Sequence, residues 1–599
     1  MPNDSALTPL TTRWGEEIDT ACPWGEYPRP QLRRSGWQCL NGTWEYAITD
    51  GAATGESGAD SVTEPEAYDG AILVPFSPES LLSGVGRQLQ PGQTLWYRRE
   101  VRLGAVPAGM RLLLHFGAVD QRCAVFVNGV RAGSHDGGYW PFSLDITTLV
   151  GDGTAVLTVA VWDDSDQGLQ AYGKQKLARG GIWYTAQSGI WQTVWTETVP
   201  AQHIESLAIT PRCDTGEVAI RVRFSQPDPP PCRVSVRDGD TVVAEGDFEG
   251  GEFVLPLPGF RYWSPEDPFL YSLTVKAGDD EVESYFGMRE FGIVTDAKGL
   301  PRLGLNGKPI FHSGLLDQGY WSDGLYTAPS DEAMVSEISA LKELGFTMLR
   351  KHIKIEPLRW YYHCDRLGML VWQDFVSGGG PYGSFVTRYL PFVGWHVRDT
   401  GVGRGFGRAS QAGRDIFRRD MARTVDLLRN VVSLAVWVPF NEGWGQFDAA
   451  RVADDLRALD DTRLVDHASG WHDQRAGDFA SHHVYFKKFR MRRDRRGRVQ
   501  ALTEFGGYSC PSAGHMASGH LYGYRMYHDA ATLTRAFVDL YEREVIPAVA
   551  RGLSAAVYTQ VSDVEDEING LFTYDRAELK LEAAAVKAVN QRLKESAPD

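Results

Sequence analysis

The stretch SLAVWVPFNE, residues 433–442, decides how the C-terminal half of this chain is read. It is an apolar strand-like run that ends on Asn441 and Glu442. The same rhythm recurs on both sides of it from about Ile293 onward, in PIFHSGLL (309–316), FTMLRK (346–351), MLVWQD (369–374), RLVD (463–466), ASHHVYF (480–486), ALTEF (501–505) and SAAVYTQ (554–560). Amphipathic helical segments lie between these runs. In DEAMVSEISALKELG, Met334, Ile338 and Leu341 share a face, and in RDIFRRDMARTVDLL, Ile416, Met421 and Val425 recur at near-helical spacing. Eight strand–helix units predict a closed (β/α)8 TIM barrel over residues 294–599. The Gly-rich SGGGPYG (377–383) is expected as a mobile loop at its mouth.

Upstream the rhythm is different. From about Gly36 to Val199, short alternating runs such as WYRREVRL, RLLLHFG, CAVFVNGVRAG and AVLTVAVW are broken by Asn-Gly and Gly-rich turns. Period-two alternation predicts antiparallel strands, hence a jelly-roll-like β-sandwich over residues 1–199. EVAIRVRFS, CRVSVRDGD and YSLTVKAG continue the pattern over residues 200–293, a length that suits an immunoglobulin-like sandwich. The fold class is thus multidomain β plus α/β.

Composition narrows the function. A net charge of −16 excludes a phosphate-backbone partner, because nucleic-acid affinity rests on clustered Lys and Arg, and a neutral substrate fits better. The one basic run, RMRRDRRGR (490–498), is expected to be a solvated loop, with an acidic sugar or a partner as the alternative. Seven cysteines without a CxxC pair suggest reduced thiols and no zinc site. The start, MPNDSALTPLTT, lacks a basic-then-apolar pattern, and no apolar run approaches about 18 residues. A cytoplasmic protein without membrane contact is expected, and a homo-oligomer is open.

Barrel active sites lie at the C-terminal ends of the strands, so an acid closing an apolar strand marks the place to look. Glu442 closes SLAVWVPFNE and Glu504 closes ALTEF. A paired set of carboxyl groups in one mouth is what glycosidic cleavage needs, one to protonate the leaving oxygen and one to trap the cationic carbon. Mutual repulsion would raise one of the two pKa values. For either residue alone, an exposed strand-end carboxylate is the alternative. No serine-hydrolase, P-loop or dinucleotide-binding pattern appears in the barrel.

At this point the chain resembles glycoside hydrolase family 2, which includes β-galactosidases, β-glucuronidases and β-mannosidases. LHFGAVDQRCAVFVNGVRAGSHDGGYWPFSLDIT and SGIWQTVW are similar to its N-terminal sugar-binding sandwich. WSPEDPFLYSL and YFGMREF resemble its passage into the barrel. LAVWVPFNEGW resembles the acid/base strand, which implies Glu442 as acid/base and Asn441 as partner of the sugar 2-hydroxyl. LTEFGGY resembles the nucleophile strand, implying Glu504, and TQVSDVEDEINGLFTYDR the last strand, implying Gln560 and Asp563 near the pocket. The resemblance further implies Arg350 bracing the nucleophile with His352 beside it, a satisfied core pair being the alternative.

Other strand-end candidates are Asp374, a sugar-hydroxyl acceptor or helix cap, Tyr485, a partner of the nucleophile or a buried aromatic, and His483 beside His482. In the loop after the first strand, Trp321 could stack on substrate or pack, and Asp317 is a polar candidate. A retaining exo-glycosidase acting on an oligosaccharide or small glycoside follows, without cofactor or essential metal, β-galactosidase-like first. The alternatives are an arabino- or galactofuranosidase, a β-mannosidase, a β-glucuronidase or a non-catalytic carbohydrate-binding protein. RKHIKIEP and WQDF replace the galactosidases' Ser-His-Tyr-Pro run and acidic pair. The glucuronidases' Asn-x-Lys does not follow Glu504.

Overall fold

The computed structural model describes residues 7–51, 63–400, 405–491 and 494–598. Eight parallel strands form its C-terminal part: β1 (His312–Asp317), β2 (Met348–Lys351), β3 (Leu370–Asp374), β4 (Leu434–Val438), β5 (Leu464–Val465), β6 (Phe479–Val484), β7 (Val499–Gly506) and β8 (Leu553–Thr559). Each falls on one of the eight expected runs. They pair in the order β5-β4-β3-β2-β1-β8-β7-β6, so the barrel is closed by backbone pairing everywhere except between β5 and β6. One backbone bond, Asp478 N–H to Val465 O at 2.9 Å, and side chains cross that seam: Val465 N–H donates to Asp478 Oδ2 at 2.7 Å and Ser481 Oγ to Asp466 Oδ1 at 2.9 Å. Every residue of β1 to β4, β7 and β8 is buried, because one face fills the barrel and the other meets helices.

The helix Asp331–Glu343 buries Met334, Ile338 and Leu341, as its periodicity predicts, and Ser330 caps it by accepting from Ala333 N. The helix Gln411–Leu428 differs. It buries Phe417, Met421, Val425 and Leu428, and Ile416 is only half-buried. Steps of four, four and three keep that set on one stripe, whereas Ile416 lies about 100° away from Phe417 around the axis. No described helix is long and apolar enough to cross a membrane.

The first sandwich pairs a six-stranded sheet with a four-stranded one. Its core takes Trp44, Leu95, Tyr97 and Leu157 together with Leu112, Leu114 and Phe116, alternate residues of their strands. The second packs three strands against four around Val218, Ile220, Val234, Val236, Leu273 and Val275. A buried cluster locks the two together. Glu197 of the first sandwich accepts from Tyr27 at 2.6 Å, Arg29 at 2.5 Å and Arg34 at 3.0 Å, and Arg34 also forks onto Asp280 of the second.

One loop expectation is corrected and another at a single residue. The Gly-rich run 377–383 is tied down: Ser377 O accepts from Tyr172 N and Gly173 N, Gly380 N donates to Gly407 O, and Gly383 N to Gly405 O. In the basic run 490–498, whose Arg492 and Arg493 lie outside the described residues, Arg490, Arg495 and Arg496 are exposed as a solvated loop requires, whereas Arg498 is buried and paired with Asp473 at 2.8 Å and Asp494 at 3.1 Å.

Candidate active site

Arg350, on β2, organises the mouth of the barrel. It is fully buried, and all five of its N–H donors have acceptors. Nε and Nη2 fork onto Asp374 at the end of β3 at 2.9 and 3.0 Å, Nη2 also reaches Asn441 Oδ1 at 2.8 Å, and Nη1 reaches Thr503 O at 3.0 Å and Glu504 Oε1 at 3.3 Å. A guanidinium does not give up its charge, so burial requires this many acceptors, and satisfying them fixes β2, β3, β7 and the turn after β4 relative to one another.

Beyond β4 the chain leaves the sheet, and Glu442 adopts a left-handed backbone with φ 52° while its N–H donates to Ser469 O at 3.1 Å. For a side-chain-bearing residue that conformation costs on the order of 1 kcal/mol. Glu504 sits where β7 slips register against both neighbours, between His482 and His483 of β6 and between Leu502 and Phe505 on the β8 side. Such bulges re-aim side chains. The two carboxyl groups and His483 Nδ1 thereby converge, with one donor atom of each within 4.8 Å of the others. Among the described residues this is the one trio of His, Cys, Asp or Glu spaced for a metal ion. The same spacing suits two carboxyl groups that flank one sugar carbon, about 5–5.5 Å apart in retaining glycosidases.

Burial dominates the electrostatics. It pushes the Glu442 carboxyl up to about 8; Lys174 and Arg350 pull it back and Glu567 pushes it further. Glu504 is raised by burial too, with His483, Arg350 and a hydrogen bond from Tyr485 opposing and Glu442 adding to it. The expected mutual repulsion therefore acts, but as a lesser contribution than burial. Burial lowers His483 to about 4, so a neutral imidazole lies 2.8 Å from Glu442 and 3.4 Å from Glu504. His352, held neutral in the same way, rests its Nδ1 2.8 Å from Asp374.

Of the other expected residues, Tyr485 donates to Glu504 Oε2 at 2.5 Å, and its oxygen lies 2.9 Å from Thr559 Oγ1. Asn441 Nδ2 is buried with no partner, a donor left over for a ligand; so is Gln560 Nε2, while Gln560 Oε1 accepts from Gln318. Two expectations are corrected. Asp317 is spent on Lys351 at 2.6 Å and on Gly319 N–H, and Trp321 packs edge-on against Trp14 beneath Arg576. Neither touches the carboxyl pair, because both belong to the packing under the loop after β1. Asp563 likewise pairs with Lys580 at 2.6 Å, and His482 turns to Gln500.

Sequence reasoning missed Lys174, Trp444, Tyr524 and Glu567. Tyr524 stacks on Tyr485 at 3.9 Å, and Tyr184 of the first sandwich donates to Glu567. Trp444 stands two residues past Glu442, a visible signal. The signal for Lys174 was the long stretch between the strands Thr154–Trp162 and Val194–Pro200, in which only short pairings form. Long irregular stretches in a compact domain are often functional.

Residues 87–200 match the family model described as glycosyl hydrolases family 2, sugar binding domain, and residues 202–289 match glycosyl hydrolases family 2. The chain is similar to a β-galactosidase of Bacteroides ovatus, 25% identical over 460 residues, which are 71% of this chain and 48% of that protein. It is also 25% identical over 315 residues to the β-glucuronidase of Mus musculus, 48% of each chain. It thus spans less than half the length of these relatives. Among solved structures, a β-glucuronidase of an uncultured Clostridium sp. superposes with a TM-score of 0.73 at 16% identity, over 94% of this chain and 99% of that one. A β-galacturonidase from Eisenbergiella tayi gives 0.67 at 17% identity, over 94% and 98%. At such identities the likeness is one of fold.

Proposed function

We propose, from the matches of residues 87–200 and 202–289 to glycoside hydrolase family 2, that the chain is a family 2 exo-glycosidase that hydrolyses terminal sugars with retention of configuration. The observation that carries the reading is the approach of Glu442 and Glu504 to within 4.8 Å in the barrel mouth. In the first step the Glu442 carboxyl gives its proton to the glycosidic oxygen while the Glu504 carboxylate attacks the anomeric carbon; the C–O bond breaks, and the aglycone leaves as an alcohol. In the second, the Glu442 carboxylate takes a proton from water, whose oxygen displaces Glu504 from the same carbon. Tyr485 and Arg350 hold Glu504 in line, and the unpartnered Asn441 Nδ2 is placed to bond the sugar 2-hydroxyl, a contact that strengthens as the carbon becomes cationic.

Galactosidase and glucuronidase names both occur among the relatives, so the sugar has to come from the pocket. A panel of 4-nitrophenyl glycosides, pyranosides and furanosides, tests the reading. Turnover of at least one by the wild type, abolished in Glu504→Gln and strongly reduced in Glu442→Gln, is expected. Turnover that survives Glu504→Gln would contradict it.

A further inference from the structure

Four lysines of the described chain are buried, and three of them face a carboxylate: Lys351 meets Asp317 at 2.6 Å, Lys354 meets Glu356 at 2.8 Å, and Lys580 meets Asp563 at 2.6 Å. Lys174 is the exception. It is 6% exposed, and among the described residues no oxygen takes a hydrogen bond or an ion pair from it. Its ammonium lies 5.5 Å from the Tyr184 ring and 5.7 Å from the Trp444 ring, and its charge acts on Glu442, Asp374 and His352. Its ammonium is thus a cation at the mouth that no carboxylate of the described residues neutralises at close range.

Its place is built. Gly173 (φ +64°) passes so close to the barrel that a Cβ would come 2.9 Å from Ile353 O and 3.0 Å from the Tyr326 hydroxyl, Tyr184 N–H donates to Lys174 O at 3.0 Å, and Gly173 N–H is held by Ser377 O. The first sandwich thus delivers a cation against Trp444 whose charge acts on Glu442, at a mouth where Arg350, also buried, has no donor to spare.

We propose that Lys174 binds an anionic substituent, a carboxylate or a sulfate, of the sugar held between Glu442 and Glu504, which makes acidic sugars the preferred substrate class. The inference rests on the glycosidase reading. It also gives the anion a second effect: neutralising Lys174 removes a charge that works against the protonated form of Glu442, whose other charged or titratable neighbours include Arg350, Glu567, His483, Glu504, Tyr485, Tyr522 and Tyr524.

The test measures kcat and KM of the full chain for 4-nitrophenyl β-glucuronide, β-galacturonide and 6-sulfo-β-galactoside against β-glucoside and β-galactoside, in wild type, Lys174→Met and Lys174→Arg. The wild type should favour an acidic substrate over its neutral counterpart by at least about 30-fold in kcat/KM, as for a buried charge pair. Lys174→Met should lose that preference, the ratio of acidic to neutral kcat/KM within the variant falling to within about threefold of one through KM on the acidic substrates, and Lys174→Arg should keep part of it. The uronides and the sulfated sugar tell carboxylate from sulfate. A wild type that prefers neutral sugars, or a Lys174→Met variant equally impaired on both classes, overturns this inference alone. No turnover of any glycoside overturns the glycosidase reading and the inference with it.

Discussion

A carboxyl group that must hold a proton near neutrality has to be kept from water, and Glu442 is 8% exposed with its carboxyl pushed up to about 8 by burial. In its proposed role it works protonated, so the alkaline limb of kcat/KM should fall through pH 8; a limb centred below 6 would contradict the assignment. Glu442→Gln should cut turnover of substrates with poor leaving groups by about 10²–10⁴, the usual worth of a general acid. Folding pays for the arrangement in the opposite sense. Because the native pKa is raised from 4.5 to about 8, the native state binds the extra proton between those values, and stability is lost as pH climbs through that window. Glu442→Gln should therefore raise the Tm at pH 8, by an amount equivalent to about 1–3 kcal/mol, and have little effect at pH 4. Glu442 and Glu504 were legible as strand-closing acids in apolar runs. The idle state of Trp321 and Asp317 was not, since a loop residue's partners, Trp14 and Lys351 here, come from elements far along the chain.

At the scale of elements, what positions the chemistry is mostly irregular backbone: the register slips around Glu504, the left-handed Glu442 and the close pass of Gly173. The strand ALTEF could be recognised by its apolar run, but its bulge could not, because register depends on two partner strands that a single stretch does not contain. The helix Gln411–Leu428 shows the same limit on a smaller scale, its true stripe starting at Phe417 rather than Ile416. Gly173→Ala should push the Lys174 loop off Ile353 and Tyr326, raising KM about tenfold or more with a Tm change of only a few degrees. An unchanged KM would show that the loop does not shape the pocket.

Across the whole molecule, two β-sandwiches and a barrel are joined by buried polar clusters, and Glu197 anchors the one between the sandwiches. Burial alone would raise the Glu197 carboxyl, yet Arg29, His115 and Arg34, with a hydrogen bond from Tyr27, hold it well below the ordinary range. Its stabilising effect is thus present above about pH 4.5 and lost as the medium is acidified below it. Glu197→Gln leaves the half-buried Arg29 without an anion and the buried Arg34 with Asp280 alone, which should cost about 3 kcal/mol at pH 7, a deficit that narrows toward pH 3; equal losses at both pH values would contradict the ion-pair account. The order of sandwich, sandwich and barrel could be read from the switch in periodicity near Ile293. The reach of the first sandwich into the barrel mouth could not, because a contact such as Lys174 with Trp444 leaves no periodic trace. The account as a whole turns on a covalent bond to one side chain. Incubation with activated 2-deoxy-2-fluoro glycosides of the sugars that the enzyme turns over, followed by peptide mass spectrometry, should find a single added sugar on Glu504 within LTEFGGY; a turned-over sugar that leaves Glu504 unmodified while another residue carries the label would contradict it.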